Sequence, residues 1–259
     1  FSAVLVLIAS FCCNDEKVKR SYLLPLYVMA FVVIVVIGNM ISRTTIIGTV
    51  MATLYIIGKS GMLRLTIYEG ERRLWKIIFP TLLVSTVLCY YYYTQNQNFH
   101  DNIRFAFEGF FSLFEKGYWE TNSNNQLAHM VRFPEEMKTW VIGDGYFDNP
   151  LSTNPFYIGP GVGTYYMNTD IGYLRFIYYF GMVGLLAFCS FFVYVAMVCT
   201  NRFEWHKKLF LFLLLLNFII WCKVASDIFV VFSFFLCILP EEQEEAELLE
   251  QQEKPKRIE

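Results

Sequence analysis

The chain has 259 residues, of which 56% are apolar, 19% are aromatic and only 17% are charged, and its formal net charge is −2. Because the apolar residues form long uninterrupted runs, this composition is typical of a membrane protein and argues against a soluble globular core. The small negative charge gives no support for nucleic-acid binding.

Seven apolar segments are predicted as membrane spans. A hydrocarbon core of roughly 30 Å requires about 20 apolar residues in a helix, and several of these segments reach or approach that length. In chain order they are 1–13, 22–42, 44–62, 77–94, 171–199, 208–222 and 226–240. The chain starts inside an apolar run without an initiator Met or a basic n-region, so we expect a fragment whose upstream helices are missing. The expected fold is an all-α, polytopic membrane helix bundle.

The last two spans are short, with about 14 residues in each half of 208–240. As one helix, this stretch would place Lys223 and Asp227 near the bilayer centre, where charged side chains are costly. A tight hairpin that points outward avoids this cost. We therefore expect a hairpin, with Lys223 and Asp227 paired at its tip.

Basic residues in three connections indicate the orientation, because Lys and Arg are enriched in cytoplasmic loops. They are Lys17, Lys19 and Arg20 in the first connection, Lys59, Arg64, Arg72, Arg73 and Lys76 in the second, and Arg202, Lys207 and Lys208 in the third. The transmembrane regions 1–94 and 171–240 then flank a periplasmic region, 95–170. The acidic tail 241–259 is expected to be cytoplasmic and to carry no chemistry.

The region 95–170 has features of a small helical layer. Phenylalanines recur at helical spacing between Phe105 and Phe114, and Thr121 begins a polar sequence suited to capping a further helix. We expect two or three short helices packed over the membrane helices, followed by an irregular loop from Gly143 to Gly163. Loops of this length in a compact protein are usually functional.

Cationic residues near the outer surface are the candidates for a binding site. Arg43 lies in a very short turn between two apolar spans, where a guanidinium is costly unless it meets an anion or a partner. A snorkelling arginine at the interface is the alternative. Guanidinium groups bind phosphate oxygens in a bidentate manner, so converging arginines would suit a diphosphate. The other candidate cations lie in region 95–170 and are Arg104, His129, Arg132 and Lys138. Asp170 and Arg175 follow where the chain re-enters the membrane.

Several short sequences together carry a family resemblance. They are Trp140-Val141-Ile142-Gly143-Asp144-Gly145-Tyr146, Thr169-Asp170-Ile171-Gly172-Tyr173-Leu174-Arg175, Phe180-Gly181-Met182-Val183-Gly184-Leu185 and the turn Ile41-Ser42-Arg43-Thr44. Arg132 and Gly143 are separated by ten residues, which resembles an R-x10-G loop motif. In this order, over about residues 22–239, the sequences resemble the O-antigen polymerase (Wzy) family, especially its members from Bacteroides-like bacteria.

The resemblance implies a bacterial inner-membrane enzyme of glycosyltransferase type C-like (GT-C-like) architecture, with its active site facing the periplasm. Its implied substrate is an oligosaccharide repeat unit linked to undecaprenyl diphosphate, and it implies neither a nucleotide sugar nor another cofactor. The donor glycan would move to the non-reducing end of an acceptor, and the lipid diphosphate would leave. A chain-length regulator is a further partner compatible with such an enzyme.

The implied activity requires cations for the diphosphate, on which negative charge grows as the glycosidic bond breaks. Arg43 and Arg132 are predicted to supply them. The other predicted substrate-binding residues are Arg175, Arg104 and Trp140.

The reaction also requires a base for the acceptor hydroxyl, and here alternatives remain. Asp170 is the first candidate, although it could instead be the N-cap of the helix that follows. His129 is the second, with a packed or surface role as the alternative. The sequence shows no metal-ligand cluster, so we expect metal-independent activity.

Two other functions remain alternatives. O-antigen ligases are similar to this chain but have a histidine before the membrane re-entry, whereas this sequence has Thr169-Asp170 there and no histidine from Gly143 to Arg175. A transporter or flippase would be expected to show internal repeats or helices broken by glycine or proline in mid-span. The sequence indicates neither, which favours an enzyme.

Overall fold

The computed structural model of the protein describes residues 1–15, 18, 22–60, 72–149, 165–203 and 206–238. Within these residues there are helices, one 3-10 turn and an isolated bridge between Asp148 and Tyr165, with no strand. The α-helices are α1 (Ser2–Asn14), α2 (Leu23–Ile41), α3 (Thr45–Ser60), α4 (Arg72–Gln95), α5 (Gln97–Ala106), α6 (Glu108–Lys116), α7 (Asn122–His129), α8 (Met137–Ile142), α9 (Gly172–Arg202), α10 (Lys207–Trp221) and α11 (Phe229–Leu236). The all-α prediction is confirmed for this part of the chain.

Some residues that supported the predicted orientation and loop lie outside the described residues. They are Lys17, Lys19, Arg20, Arg64, the loop residues 150–163 and the tail 241–259.

Three helices are long and apolar enough to cross a membrane: α2 with 19 residues, α4 with 24 and α9 with 31. At 1.5 Å per residue, α2 is about 28 Å long, close to the thickness of a hydrocarbon core. Helices α1 and α3 are apolar but shorter. Large apolar side chains cover the outer faces of the long helices, including Leu26 on α2, Leu83 on α4 and Val183 on α9. Such a surface is suited to lipid, because soluble proteins rarely expose extended apolar patches.

The C-terminal helices form the hairpin that the sequence predicts. Helix α10 ends at Trp221 and α11 begins at Phe229. The two run antiparallel, since the Phe210 ring near the start of α10 lies 5.0 Å from the Phe235 ring near the end of α11. The expected pairing of Lys223 with Asp227 is wrong: the Asp227 carboxylate instead accepts a hydrogen bond of 3.0 Å from the Phe229 N–H.

Helix α9 is broken inside the predicted span 171–199, contrary to our expectation that no span is interrupted. Gly181 has φ 68° and ψ −174°, a conformation that few residues other than glycine adopt. The break leaves a first section from Gly172 to Phe180 and a longer second section. The carbonyl groups of Tyr178 and Tyr179 accept hydrogen bonds from the backbone N–H groups of Asp144 and Gly145, at 2.6 and 3.1 Å.

The core lies between the apolar helices. Helix α1 is the most enclosed, with Leu5, Val6 and Ala9 fully buried. It packs closely against α3, because a Cβ added to Gly48 would lie within 3.0 Å of the Ser2 backbone. A second centre surrounds Trp221, which is fully buried among aromatic rings of α9 and α10. These contacts fix the apolar helices beneath the polar residues that follow α4.

The region after α4 contains four α-helices, α5 to α8, among its described residues, where two or three were expected. The phenylalanine-rich stretch divides into two helices at Phe107, and a short α8 is added. Thr121 is the N-cap of α7 as predicted, because its hydroxyl accepts the Asn124 N–H at 3.2 Å. This layer positions most of the candidate residues.

Candidate functional site

Arg43 meets an acidic partner, as its place near apolar helices requires. Its guanidinium lies 2.5 Å from the Glu108 carboxylate and donates to the Ser123 hydroxyl at 3.2 Å. It also covers the Phe105 ring at 4.0 Å, and only 14% of the side chain is exposed. The Arg43 Nε–H is buried without a hydrogen-bond partner. One donor of this arginine is therefore unused in the structure.

The Arg43 cavity, of about 370 Å³, is lined by residues of α5, α6 and the start of α7. Its charged groups occur as three pairs: Arg43 with Glu108, Arg104 with Glu115, and Lys116 with Glu120. Arg104 donates to both oxygens of Glu115, at 2.8 and 3.0 Å. An anionic ligand would have to replace these carboxylates, and Arg43 is the least exposed of the three cations.

Lys223 adds positive charge near Arg43. It follows α10 and is half-buried. Burial lowers the pKa of Lys223, and repulsion by Arg43 lowers it further. The sequence analysis gave Lys223 only a structural role.

An apolar cavity of about 460 Å³ lies between α1, α2, α3 and α4. It reaches α5, where Ile103 and the following Phe107 line it, while Arg104 and Phe105 line the Arg43 cavity. The threonine hydroxyls on its wall are satisfied within their own helices, as Thr49 donates to the Thr45 carbonyl oxygen at 3.0 Å. Helix α5 thus has an apolar cavity on one side and a charged cavity on the other.

Arg132 lies in a different cavity, of about 790 Å³, which we call the Arg132 cavity. The prediction that Arg43 and Arg132 bind one diphosphate together is not supported by this separation. The Arg132 side chain is exposed, and its carbonyl oxygen accepts the Tyr178 hydroxyl at 3.3 Å. The other polar and aromatic groups on the cavity wall include Lys138, Asp144, Tyr146, Tyr166 and Tyr178.

Asp144 is the carboxylate that hydroxyl groups orient in the Arg132 cavity. The Thr139 hydroxyl donates to Oδ1 at 2.8 Å, and the Tyr166 hydroxyl donates to Oδ2 at 3.3 Å. The sequence analysis quoted Asp144 within a motif without assigning it a role. The glycines on either side, Gly143 and Gly145, were the sequence feature that could have indicated a functional turn here. Both have positive φ, and the turn that contains them is held against α9 by backbone hydrogen bonds.

Buried Arg175 forms a charge network with Asp170, which is partly exposed, and with Asp148, which is largely exposed. Arg175 donates to Asp170 at 3.3 Å, to Asp148 at 2.9 Å and to the Phe147 carbonyl oxygen at 3.2 Å. Burial raises the pKa of Asp170, and the attraction of Arg175 only partly offsets this. The alternative that Asp170 is an N-cap is wrong, since the N-cap of α9 is Ile171. Arg175 is engaged with the protein itself, and the network ties α9 to residues 147–148.

Trp140 and His129 lie apart from these charged groups. Trp140 donates its indole N–H to the Pro134 carbonyl oxygen at 2.8 Å and stacks on Phe133, so it stabilises the chain around α8. His129 ends α7 and is exposed; it lines neither the Arg43 cavity nor the Arg132 cavity. No cluster of His, Cys, Asp or Glu suited to a metal ion occurs among the described residues.

Two of the sequences that carry the family resemblance, 140–146 and 180–185, cross each other, whereas the turn that holds Arg43 lies at a different cavity. Gly143 and Gly181 mark the place where the turn after α8 crosses the break in α9, and a Cβ on either would lie within 3.0 Å of the opposing backbone. The segment 169–175 contacts the chain just after this turn, because Arg175 donates to the Phe147 carbonyl oxygen and to the Asp148 carboxylate. The chain matched no family model, no curated protein and no solved structure. The function below is therefore inferred from the residues and their arrangement.

Proposed function

We propose that the protein is a polytopic membrane glycosyltransferase that polymerises oligosaccharide repeat units linked to undecaprenyl diphosphate, at the periplasmic face of a bacterial inner membrane. The observation that supports this most directly is the apolar cavity and the charged Arg43 cavity on two sides of α5. An amphiphile with a long hydrocarbon chain and an anionic head group matches both. The product would be a surface polysaccharide such as O-antigen or capsule.

The apolar cavity suits the hydrocarbon chain. Most of its wall comes from the side chains of four helices, and the threonine hydroxyls among them are already hydrogen-bonded. Helix α4 contributes one wall and packs loosely, with only Leu74 buried among its residues. A chain could therefore enter from the lipid beside α4. Because such a chain would move from lipid to an equally apolar wall, the cavity would position the chain by packing rather than by a hydrophobic driving force.

Arg43 suits the diphosphate. The group would accept the unused Nε–H and replace Glu108. As the bond between the anomeric carbon and the phosphate oxygen breaks, negative charge grows on the diphosphate. A guanidinium held on the Phe105 ring with little exposure stabilises that charge more than a solvated cation does.

A transporter or flippase is the second candidate, because the break in α9 at Gly181 is a feature of transporters. Such a protein would use the same cavities to move the lipid-linked glycan across the bilayer. It would form no glycosidic bond, so product analysis separates the two functions.

The test uses the full-length protein in proteoliposomes with undecaprenyl-diphosphate-linked repeat units, followed by gel analysis. A ladder of products is expected from the wild type. Arg43→Lys should lower its rate by roughly 10- to 100-fold, because a lysine cannot reproduce the bidentate donors of arginine. Arg73→Lys, an exposed substitution at the start of α4, is the matched control and should leave the ladder unchanged.

Other results would contradict the proposal in distinct ways. Transfer of a single glycan to lipid A core would indicate a ligase, and transport of intact substrate without new bonds would indicate a flippase. A full ladder from Arg43→Lys would reduce Arg43 to a structural partner of Glu108.

A further inference from the structure

We propose that Glu108 is a specificity residue of the Arg43 cavity, whose carboxylate occupies the position of a phosphate group and excludes lipids that carry a single phosphodiester. A lipid diphosphate displaces this carboxylate, whereas the phospholipids of the surrounding membrane do not. This proposal rests on the proposed function and deepens it, because it states how the same site selects its class of substrate. The sequence analysis assigned no role to Glu108.

The Glu108 carboxylate lies where donors for an anion converge. Arg43 approaches one of its oxygens at 2.5 Å, and the backbone N–H of Asn122 donates to both oxygens at 3.3 Å. Asn122 is the first residue of α7, and the start of a helix favours an anion because its N–H groups are free and its dipole is positive there. A phosphate group in this position would meet the same donors, together with the unused Arg43 Nε–H.

Glu108 is also the least exposed carboxylate of the three ion pairs in this cavity. Its side chain is 27% exposed, compared with 35% for Glu120 and 51% for Glu115. Its partner Arg43 is 14% exposed, so water screens this pair less than the other two. Breaking the contact therefore has a cost that any anionic ligand of Arg43 must exceed.

The charge of the ligand decides whether that cost is exceeded. A phosphodiester has a single negative charge, which only replaces the charge of the Glu108 carboxylate. A diphosphate has more negative charge and more acceptor oxygens, so it gains a larger attraction to Arg43 for the same cost. A cavity that opens to lipid beside α4 needs such a barrier, because membrane phospholipids also combine hydrocarbon chains with an anionic group.

The exchange requires a rotation of the Glu108 side chain, while the backbone at the start of α6 is fixed. Gly109 packs so closely on Trp119 that an added Cβ would lie within 3.0 Å of the ring. The Ser112 hydroxyl ties α6 to the chain that follows it. Phe107, immediately before Glu108, lines the apolar cavity, so a lipid chain held there would bring its head group to this carboxylate.

The binding experiment uses full-length protein in the uncharged detergent dodecyl maltoside, with isothermal titration calorimetry. The two probes are farnesyl diphosphate and dihexanoyl phosphatidylglycerol, which is a phosphodiester. Wild type should bind only the diphosphate. Glu108→Gln keeps the shape of the side chain but removes its charge, so it should bind farnesyl diphosphate roughly tenfold more tightly. Phosphatidylglycerol should show saturable binding to this variant alone.

Further variants locate the effect at Arg43. Asp101→Asn removes an exposed carboxylate on α5 outside the cavity lining, and it should leave both affinities within about twofold of wild type. Arg43→Gln should lose saturable binding of farnesyl diphosphate, with or without Glu108→Gln. Glu108→Asp retracts the carboxylate from Arg43 and should give a smaller gain in affinity, which keeps the test informative if Glu108→Gln folds poorly.

A reaction arm measures the same selectivity during turnover. Ladder formation is followed in proteoliposomes of phosphatidylcholine, with and without added phosphatidylglycerol. The added lipid should slow Glu108→Gln roughly fivefold more than it slows wild type or Asp101→Asn, because it competes for the Arg43 cavity only where the carboxylate is absent.

The outcomes separate the two proposals. If Glu108→Gln binds farnesyl diphosphate no more tightly than wild type, or if wild type binds phosphatidylglycerol as tightly as the diphosphate, the role of Glu108 is overturned; a wild-type ladder would still support the proposed function. The expected binding pattern in a wild type that forms no ladder would support Glu108 as the specificity residue and contradict the polymerase. A wild type that does not bind farnesyl diphosphate would overturn this proposal together with Arg43 as the diphosphate site.

Discussion

Replacing Gly181 by alanine tests whether the break in α9 holds the functional residues together. The substitution adds one methyl group at a position with φ 68° and ψ −174°. That methyl carbon would lie within 3.0 Å of the Val141 carbonyl group and the Ile142 nitrogen, which are backbone atoms. A backbone cannot rotate away as a flexible side chain can, so either α8 moves or α9 straightens.

The cost has two parts. A residue with a Cβ in this conformation is strained by about 1–3 kcal/mol. Separating the two backbones would break the hydrogen bonds from Asp144 and Gly145 to α9, which contribute about 1 kcal/mol each. We therefore expect a loss of roughly 3–5 kcal/mol, which lowers the melting temperature by roughly 6–20 °C for a chain of this size.

Thermal unfolding of purified protein in detergent, followed by circular dichroism, measures this loss. Gly58→Ala is the matched control, because Gly58 lies in helix α3 with open space around its Cβ position. That control should be neutral or slightly stabilising, since alanine favours helix more than glycine does. Equal melting temperatures for Gly181→Ala and Gly58→Ala would refute the proposed close crossing of α8 and α9.

Two further predictions concern the network at the start of α9. Arg175→Met should destabilise the protein by about 2–3 kcal/mol in denaturant unfolding, because it leaves Asp148 and Asp170 without their cation. The exposure of Asp148 limits this loss. An unchanged denaturation midpoint would contradict the network. Asp170 has a raised pKa in the folded protein, so the folded state binds its proton at higher pH than the unfolded state does. Its contribution to stability therefore increases as pH falls from about 7 to 4, and Asp170→Asn should remove this increase from the melting temperatures measured across that range.

The sequence predicted the apolar helices well, because run length is a local property. The segments 22–42 and 208–222 became helices α2 and α10, with each end displaced by one residue. The cost of a charge near hydrocarbon also predicted that Arg43 would have a partner. The sequence could not identify Glu108 as that partner, because the contact depends on how α6 packs over the turn between α2 and α3.

The break at Gly181 was not predictable from the sequence, since glycine is frequent in apolar helices that remain continuous. It requires the approach of α8, which is separated from α9 by many residues. The same limit applies to Arg132. The family resemblance grouped it with Arg43 as a diphosphate ligand, whereas the structure places the two side chains in different cavities.

The separation of the two cavities gives the first section of α9 a specific importance. At its start, Gly172 packs against the backbone of Trp221 and Val224. Lys223 lies between these two residues in the chain, and its pKa is lowered by burial and by Arg43. Near its end, the Tyr178 carbonyl oxygen holds the backbone of Asp144. This section of nine residues is about 13 Å long and connects the surroundings of both cavities. Because the break at Gly181 frees this first section from the direction of the longer one, we expect the break to set the position of the Arg132 cavity relative to the Arg43 cavity.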